Sequence, residues 1–374
     1  MRGSGFIQVT LGVVLLMANP IGATDTRVET LGASALFLED EDNIWHFPAS
    51  ILEYPNLLVL SLGGRASALT PRSEFRILGT IPLPQGMVMG MGFGSDERQV
   101  TYAPLGAKEL LHLFIAKREG SRRTGLSISQ YGAINNNNPS YEKSVSVTRV
   151  SIGIEAEQGS DRIVEGSLAY CGTYFKDISN RVKRSGPKGY HELALQMRGS
   201  IQLTESVRII PILTATLGAR GARTYSSGQV SGTVKQGYIA SQIGAAYEIS
   251  RPEDLLVIFH ASILYSRTVS SPAESKNIIW SFPQAGVGIE KWIRPWLALR
   301  AGAILHLQLR KNTGNGDISW RSQVSTAPAM GLAIRFSGLQ ADFAFDPAVL
   351  ENGLYFMSGT KAPLFTKVTL RYHF

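Results

Sequence analysis

The chain has 374 residues, of which 44% are hydrophobic and 18% charged, and its mean hydropathy is +0.02. Beyond the N-terminus no apolar run reaches the roughly 20 residues that a membrane-spanning helix needs, so a helical membrane bundle is excluded. The net charge of +8 comes without a recognition-helix pattern or a ribonucleoprotein motif, so we expect no nucleic-acid partner. One cysteine excludes an internal disulfide, and without metal-ligand spacing or a phosphate loop we expect no metal and no cofactor.

The first 23 residues have the pattern of a secretory signal peptide. Arg2 supplies the positive start, and residues 6–18 form a mostly apolar stretch. Asn19 and Pro20 would end the helix, and Ala23 is a plausible cleavage position. We therefore expect an exported protein whose mature part begins near residue 24.

From about residue 56 onward, apolar side chains recur at every second position. In the clearest segment Ile209, Leu213 and Leu217 share one phase, whereas Arg208 and Thr214 lie in the other. A strand with one face toward lipid and the other toward a wet lumen has this pattern. The predicted strands are 56–64, 74–82, 86–94, 109–117, 123–131, 143–156, 163–175, 190–202, 206–218, 237–248, 255–266, 279–290, 295–307, 325–336, 339–346 and 365–374.

The predicted connections alternate between short and long. Residues 83–85 and 203–205 are short turns, whereas 95–107, 132–141 and 219–236 are long and polar. The further long connections are predicted at 310–323 and 347–364. Short periplasmic turns and long outer loops are typical of a transmembrane barrel. We therefore predict an all-β fold: an antiparallel up-and-down barrel over residues 56–374, with 16 strands favoured and 14 as the competitor, against a soluble sandwich.

The end of the sequence matches this prediction. Val368, Leu370, Tyr372 and Phe374 alternate with polar residues and finish on an aromatic ring. This pattern resembles the C-terminal β-signal of outer-membrane proteins, so we expect the barrel assembly machinery to be a partner. Aromatic residues near predicted strand ends suit the two lipid boundaries. They are Tyr174, Tyr247, Tyr265, Trp280, Trp292, Trp296 and Phe336.

Residues 24–55 do not alternate and carry a family resemblance. Residues 32–35 are Gly-Ala-Ser-Ala, residues 39–42 are Glu-Asp-Glu-Asp, and Pro48-Ala49 follow. This order resembles the N-terminal region of the FadL-like outer-membrane transporters of long-chain fatty acids and hydrophobic compounds, although Phe47 stands where that family has Asn. Residues 339–345 similarly resemble that family's Asp-Tyr-Ala-Phe strand. The resemblance implies about 14 strands and a plug inside the barrel; a periplasmic arm is the alternative for residues 24–55.

Polar residues out of phase with the lipid face are candidates for the lumen, because an Arg or Lys near the lipid midplane costs about 2–4 kcal/mol. Such residues form either a solute-selecting constriction or a network of ion pairs that braces the wall. The candidates are Glu165, Gln196, Arg198, Gln242, His260, Arg300, His306, Arg335 and Asp342.

Three functions remain open at this point. We favour a channel or transporter for passive passage of small, possibly hydrophobic, solutes across the outer membrane of a Gram-negative bacterium. A structural or secretion-associated barrel is the second hypothesis. A barrel hydrolase is the third, since His260 and Ser262 share a strand face, but no orienting acid is evident and we expect no enzyme. Outer-membrane lipid, lipopolysaccharide and a small-molecule solute are the other expected partners.

Overall fold

The structure is a computed structural model of the chain. The predicted export signal, residues 1–23, and the predicted loop at 95–107 lie outside the residues that it describes. The described residues are 25–67, 70–94, 108–138, 141–158, 162–179, 182–186, 190–226, 229–251, 254–271, 275–314, 317–346, 349 and 364–374.

The described chain folds into one antiparallel sheet that closes on itself. The first strand pairs with both the second and the last, so that Leu60 lies opposite Ile77 on one side and Leu370 on the other. The strands are β1 Leu57–Ser67, β2 Thr70–Leu83, β3 Met87–Gly94, β4 Lys108–Glu119, β5 Arg122–Asn138, β6 Tyr141–Glu157, β7 Arg162–Ser179, β8 Val182–Gly186, β9 Tyr190–Thr204, β10 Val207–Ser226, β11 Gln229–Arg251, β12 Leu255–Ser271, β13 Ser275–Arg294, β14 Leu297–Gly314, β15 Asp317–Phe336, β16 Leu339–Phe345 and β17 Phe365–His373.

Sixteen of these strands form the barrel wall. The exception is β8, a short strand that pairs only with the far end of β7, while β9 pairs with the rest of β7. The prediction of sixteen wall strands is confirmed, and the family-derived count of fourteen is wrong. All sixteen predicted strand positions coincide with wall strands of the structure.

Side chains of the wall alternate between the outer surface and the interior, as the sequence pattern predicts. In β3, Met89, Met91 and Phe93 are exposed, whereas Val88 and Gly90 are buried. The same alternation leaves large apolar side chains exposed on nearly every wall strand. Such an apolar outer belt is what lipid contact requires. No helix among the described residues is long and apolar enough to cross a membrane.

One aromatic residue departs from the predicted girdle. Trp292 is buried and lies on the inner face, in a cluster with Ala298 and Ala333. The guanidinium of Arg335 lies 4.2 Å from the centre of its ring. The prediction of a lipid-boundary position for Trp292 is therefore wrong, because the ring shields an inward-facing arginine instead. Tyr247, Trp280, Trp296 and Phe336 are exposed, as predicted.

The two ends of the barrel differ as the connection lengths suggested, but three of the predicted long loops are largely strand. β5 continues to Asn138 and β6 begins at Tyr141, so residues 132–138 and 141 belong to paired strands. Strand pairing likewise covers most of 219–236 and 310–323. Polar composition concealed these extensions, because beyond the lipid both faces of a strand meet water while the backbone still pairs.

Residues 25–55, called the plug below, lie inside the barrel. Their elements are helix α1 Asp25–Thr30, a 3-10 turn Ala35–Phe37, helix α2 Asn43–His46 and a 3-10 helix Pro48–Glu53. Ser34 begins the 3-10 turn, because its Oγ accepts a hydrogen bond from the Leu36 amide at 3.3 Å. Proline at the start of the last element provides the backbone angle that a helical first turn needs.

The hydrophobic core lies between the plug and the inner wall. In one cluster Leu31, Phe37 and Leu38 of the plug pack near Ile210 and Ile258 of the wall. A second cluster unites the side of the plug around Ile44, Trp45, Ile51 and Tyr54 with inward residues of β1 to β4. Each large apolar side chain buried in this way contributes about 1.5–3 kcal/mol. The core of this barrel is thus an interface between two segments of one chain.

Candidate functional site: the lumen and its plug

All nine predicted lumen residues lie on the inner face of the wall, and several contact the plug. The Arg198 guanidinium pairs with Glu165 of the neighbouring strand and donates a hydrogen bond of 2.9 Å to the Leu38 carbonyl of the plug. Ser50 of the plug donates to Glu165 at 2.9 Å, and the Arg198 guanidinium lies 5.1 Å from the Phe47 ring centre. This pair therefore joins the plug to the wall.

A second charged group joins three wall strands. Arg300 pairs with Glu290 at 2.5 Å and with Asp342 at 2.6 Å, and all three side chains are buried. Gln340 also donates to Asp342, at 3.0 Å. From the plug, Arg27 reaches the same Glu290 carboxylate. In a low-dielectric interior such charges are stable only when they are paired and hydrogen-bonded.

The remaining candidates take different positions. His260 Nε2 lies 2.8 Å from the plug carbonyl of Gly32, and the ring stacks on Phe37. Gln242 donates to Ser262 at 2.9 Å, so His260 and Ser262 contact other partners. Gln196 Oε1 lies 3.3 Å from a ring nitrogen of His46. His306 and Arg335 occupy inward phases of β14 and β15, at different heights.

The acidic run of the plug finds cations on the wall. Glu39 pairs with Arg208, Asp42 with Arg76 at 2.5 Å, and Glu41 with Arg371 at 3.3 Å. Arg76 and Arg208 were missing from the predicted lumen residues. The signal that could have identified them is the run itself, since four consecutive acids can be buried only opposite cations in the inward phase.

Charge balance is incomplete within this run. Asp40 is fully buried, and neither carboxylate oxygen has a hydrogen-bond partner among the described residues. Burial, together with the charges of Asp42 and Glu41, holds the pKa of Asp40 well above its usual value. Burial also raises the pKa of Glu41 to about 7, against the lowering effect of Arg371. For Glu39, burial is outweighed by Arg208 and Arg198, so the pKa of Glu39 is lowered.

Glycines in the wall give the plug its close fit. A Cβ on Gly302 or Gly288 would collide with the backbone of Leu31, and one on Gly331 would collide with Thr30. On the opposite side of the lumen, Gly125 and Gly153 abut the backbone of Pro48 and Ala49. The Pro48-Ala49 motif is therefore a wall contact, and close backbone approach explains these glycines.

The proposed assembly residues lie on the last strand, β17. Val368, Leu370 and Tyr372 face outward, and Phe374 is exposed beyond the strand with its ring 6.3 Å from that of Tyr372. In the other phase of the strand, Lys367, Thr369 and Arg371 are buried inward.

Comparison with known proteins finds similarity only to distant solved structures. No family model and no curated protein matches the sequence. Similar solved structures include CdiB from Escherichia coli (TM-score 0.48, 10% identity, covering 86% of this chain and 63% of CdiB). The Ralstonia pickettii toluene transporter TbuX is also similar (TM-score 0.43, 13% identity, covering 94% of this chain and 98% of TbuX). So is the CymD monoaromatic hydrocarbon channel (TM-score 0.38, 10% identity, covering 96% of this chain and 99% of CymD). The chain thus spans 63% of the length of CdiB. The similar structures include FadL-family hydrocarbon transporters, the class that the sequence resembles.

Proposed function

We propose that the protein is a channel in the outer membrane of a Gram-negative bacterium, through which small apolar solutes pass passively when the plug shifts. A closed barrel of sixteen strands is wide enough to leave an aqueous channel unless something fills it. Here the filling is a separate segment fastened by ion pairs and packed against the wall. A barrel that only scaffolds a partner has no need of such a segment.

The evidence that the solutes are apolar is the composition of the inner wall behind the plug. Ile210, Ile212, Leu256 and Ile258 face inward there and are buried by the plug. The lumen of a general porin is polar, because it conducts hydrated solutes. A shift of the plug would expose an apolar strip along β10 and β12, which suits a hydrocarbon better than a sugar or an ion.

A reversible lock tests this proposal. The Thr26 and Thr369 hydroxyl oxygens lie 2.6 Å apart, so Thr26→Cys with Thr369→Cys brings two thiols within reach of a disulfide. Cys171→Ser removes the native thiol from this variant. Uptake of a radiolabelled aromatic hydrocarbon and of a labelled sugar would be measured in vesicles with a lipopolysaccharide outer leaflet. We expect reduction to raise hydrocarbon uptake about tenfold and to leave sugar uptake unchanged.

The control is Thr26→Cys in the same Cys171→Ser background, which cannot form the lock. Equal hydrocarbon uptake by the double-cysteine variant before and after reduction would show that passage of the solute does not depend on plug movement. Uptake no greater than in protein-free vesicles would contradict the transport function and favour the scaffold hypothesis. Faster passage of sugar than of hydrocarbon would contradict the apolar cargo.

A further inference from the structure

A cavity of about 580 Å³ lies on the outer surface of the wall, across β7 and β9 to β12. It is separate from the lumen, because nine of its twelve lining residues are in the outward phase of their strands. Tyr170, Leu217 and Ile239 are exposed there, whereas their neighbours Ala169, Cys171 and Ala240 are buried inward. The outward side chains around the cavity include Tyr170, His191, Leu217, Gly237, Ile239 and Arg267.

The position of the cavity relative to the lipid follows from the strand geometry. Leu217 lies ten residues beyond Val207, which follows one of the short turns. At about 3.3 Å per residue this is about 33 Å along the strand, or about 25 Å along the barrel axis at the usual tilt. The apolar band of such barrels is about 25 Å tall. Tyr265 and Trp280, whose rings lie 4.6 Å apart, mark this boundary beside the cavity.

Glycine gives the cavity its depth. A Cβ placed on Gly237 would meet no atom within 4 Å, and Gly237 pairs with Ala219 on one side and Val269 on the other. Larger apolar side chains, Leu217 and Ile239, stand in the next outward row. The result is an apolar recess with room for a hydrocarbon chain.

Polar groups stand at the rim of this recess. Arg267 lies in the outward phase, and its Nε is buried without a hydrogen-bond partner among the described residues. The Tyr170 hydroxyl and His191 Nδ1 lie 2.8 Å apart on the facing side. A guanidinium at a lipid boundary extends toward the headgroups and binds phosphate by charge-assisted hydrogen bonds.

We propose that this cavity binds the phosphorylated lipid anchor of lipopolysaccharide, with a phosphate on Arg267 and an acyl chain over Gly237. The short turns mark the periplasmic end of a barrel, so the cavity lies at the opposite, outer leaflet, where lipopolysaccharide is the anionic lipid. An apolar recess beside a cation is complementary to a lipid that carries both groups. The site does not depend on whether the lumen conducts.

Two variants of the delipidated full chain in detergent test the two halves of this site. Native mass spectrometry would follow the titration of purified lipid A. We expect Arg267→Gln to weaken binding about tenfold, through loss of the phosphate contact. Gly237→Leu fills open space in the recess, and we expect it to weaken binding at least as much by blocking the acyl chain.

Each variant has a matched control on the same outer surface. Lys311→Gln removes an outward cation that lies over the Trp320 ring on β14 and β15, away from the cavity. Gly166→Leu adds the same side chain at an outward glycine of β7, where a Cβ meets only ordinary contacts. We expect wild-type binding in both controls.

Competing lipids complete the test. Dephosphorylated lipid A should bind the wild type about tenfold more weakly than lipid A does. The Arg267→Gln variant should bind the two lipids equally. Equal binding of lipid A to Arg267→Gln and wild type would overturn the phosphate contact. Unchanged binding to Gly237→Leu would overturn the recess, and displacement of lipid A by equimolar phosphatidylglycerol would overturn the assignment to lipopolysaccharide.

Discussion

Arg27 of the plug donates two hydrogen bonds, of 2.9 Å and 3.0 Å, to the two carboxylate oxygens of Glu290 on the barrel wall. The same carboxylate accepts from Arg300, which in turn reaches Asp342. A continuous ionic network therefore runs from the plug through three wall strands. Bidentate arginine–carboxylate pairs fix geometry as well as charge, so this network sets the position of helix α1.

Loss of Arg27 should loosen the plug without opening the barrel. In Arg27→Gln, Glu290 keeps its pair with Arg300, while the plug loses two charge-assisted hydrogen bonds. We expect the docking free energy of the plug to fall by about 2 kcal/mol. Amide hydrogen exchange of residues 28–38 should accelerate about 30-fold, and the temperature at which the barrel unfolds should change little.

The matched control removes an exposed cation from β13, the wall strand that carries Glu290. Lys291→Gln breaks a pair with Asp254 in which both side chains are about half exposed, and such pairs contribute at most about 1 kcal/mol. Exchange in residues 28–38 should stay at the wild-type rate in this control. An equally unchanged rate in Arg27→Gln would mean that other contacts determine the position of α1.

A side chain on a wall glycine should displace the plug more strongly. In Gly302→Val, the Cβ would overlap the backbone of Leu31, which is fully buried. We expect limited proteolysis to cut residues 25–55 at a rate at least tenfold above that of the wild type, because the backbone of a close-packed interface has no room to yield.

Gly237→Val is the comparison for this steric effect, since a Cβ there meets nothing within 4 Å. It introduces the same side chain into another wall strand, outside the lumen, and should leave the plug protected. Protection of residues 25–55 in Gly302→Val, together with a normally folded barrel, would show that the wall and not the plug moves aside.

The barrel itself could be predicted from the sequence because its physics is local. The alternation of side chains, the lengths of the turns and the strand face that carries the charges each depend on residues near one another in the chain. Local segments are therefore enough to predict the sixteen strands and the candidate inward-facing residues. The strand extension over residues 132–138 was missed for the same reason. Outside the lipid the alternating pattern is lost, although the backbone pairing continues.

The contacts of the plug could not be predicted, because they join residues far apart in the sequence. Thr26 meets Thr369, and Glu41 meets Arg371. No local pattern selects Arg371 over other inward arginines as the partner of Glu41. Wall glycines such as Gly302 indicate that another segment approaches closely, but the sequence does not show which segment it is.

The acidic run makes docking of the plug sensitive to pH. Burial raises the pKa of Glu41 to about 7, despite Arg371, and burial with neighbouring acids also holds the pKa of Asp40 well above its usual value. A raised pKa in the docked state means that docking is strongest below about pH 4.5 and weakens as pH rises through 7. Between pH 5 and 8 we expect a loss of about 3 kcal/mol, measured by hydrogen exchange corrected for its intrinsic pH dependence.

Glu41→Gln together with Asp40→Asn should flatten most of this dependence, because both amides keep the shape of the side chains and cannot ionise. Glu205→Gln, in an exposed turn, should leave it unchanged. The lowered pKa of Glu39 acts in the opposite direction, but its contribution is lost only below about pH 4.5, outside the measured range. Docking that strengthens between pH 5 and 8 would contradict the assignment of these buried acids.

The Arg300 network should stabilise the wall itself, and a double variant separates charge from packing. Arg300→Met leaves Asp342 with the hydrogen bond from Gln340 but without its cation, whereas Glu290 keeps Arg27. An uncompensated buried carboxylate costs about 3–5 kcal/mol, so the folded form should be lost at a clearly lower temperature in heat-modifiability gels. Adding Asp342→Leu removes that charge and should restore part of the loss. A double variant no more stable than Arg300→Met would show that the loss comes from packing.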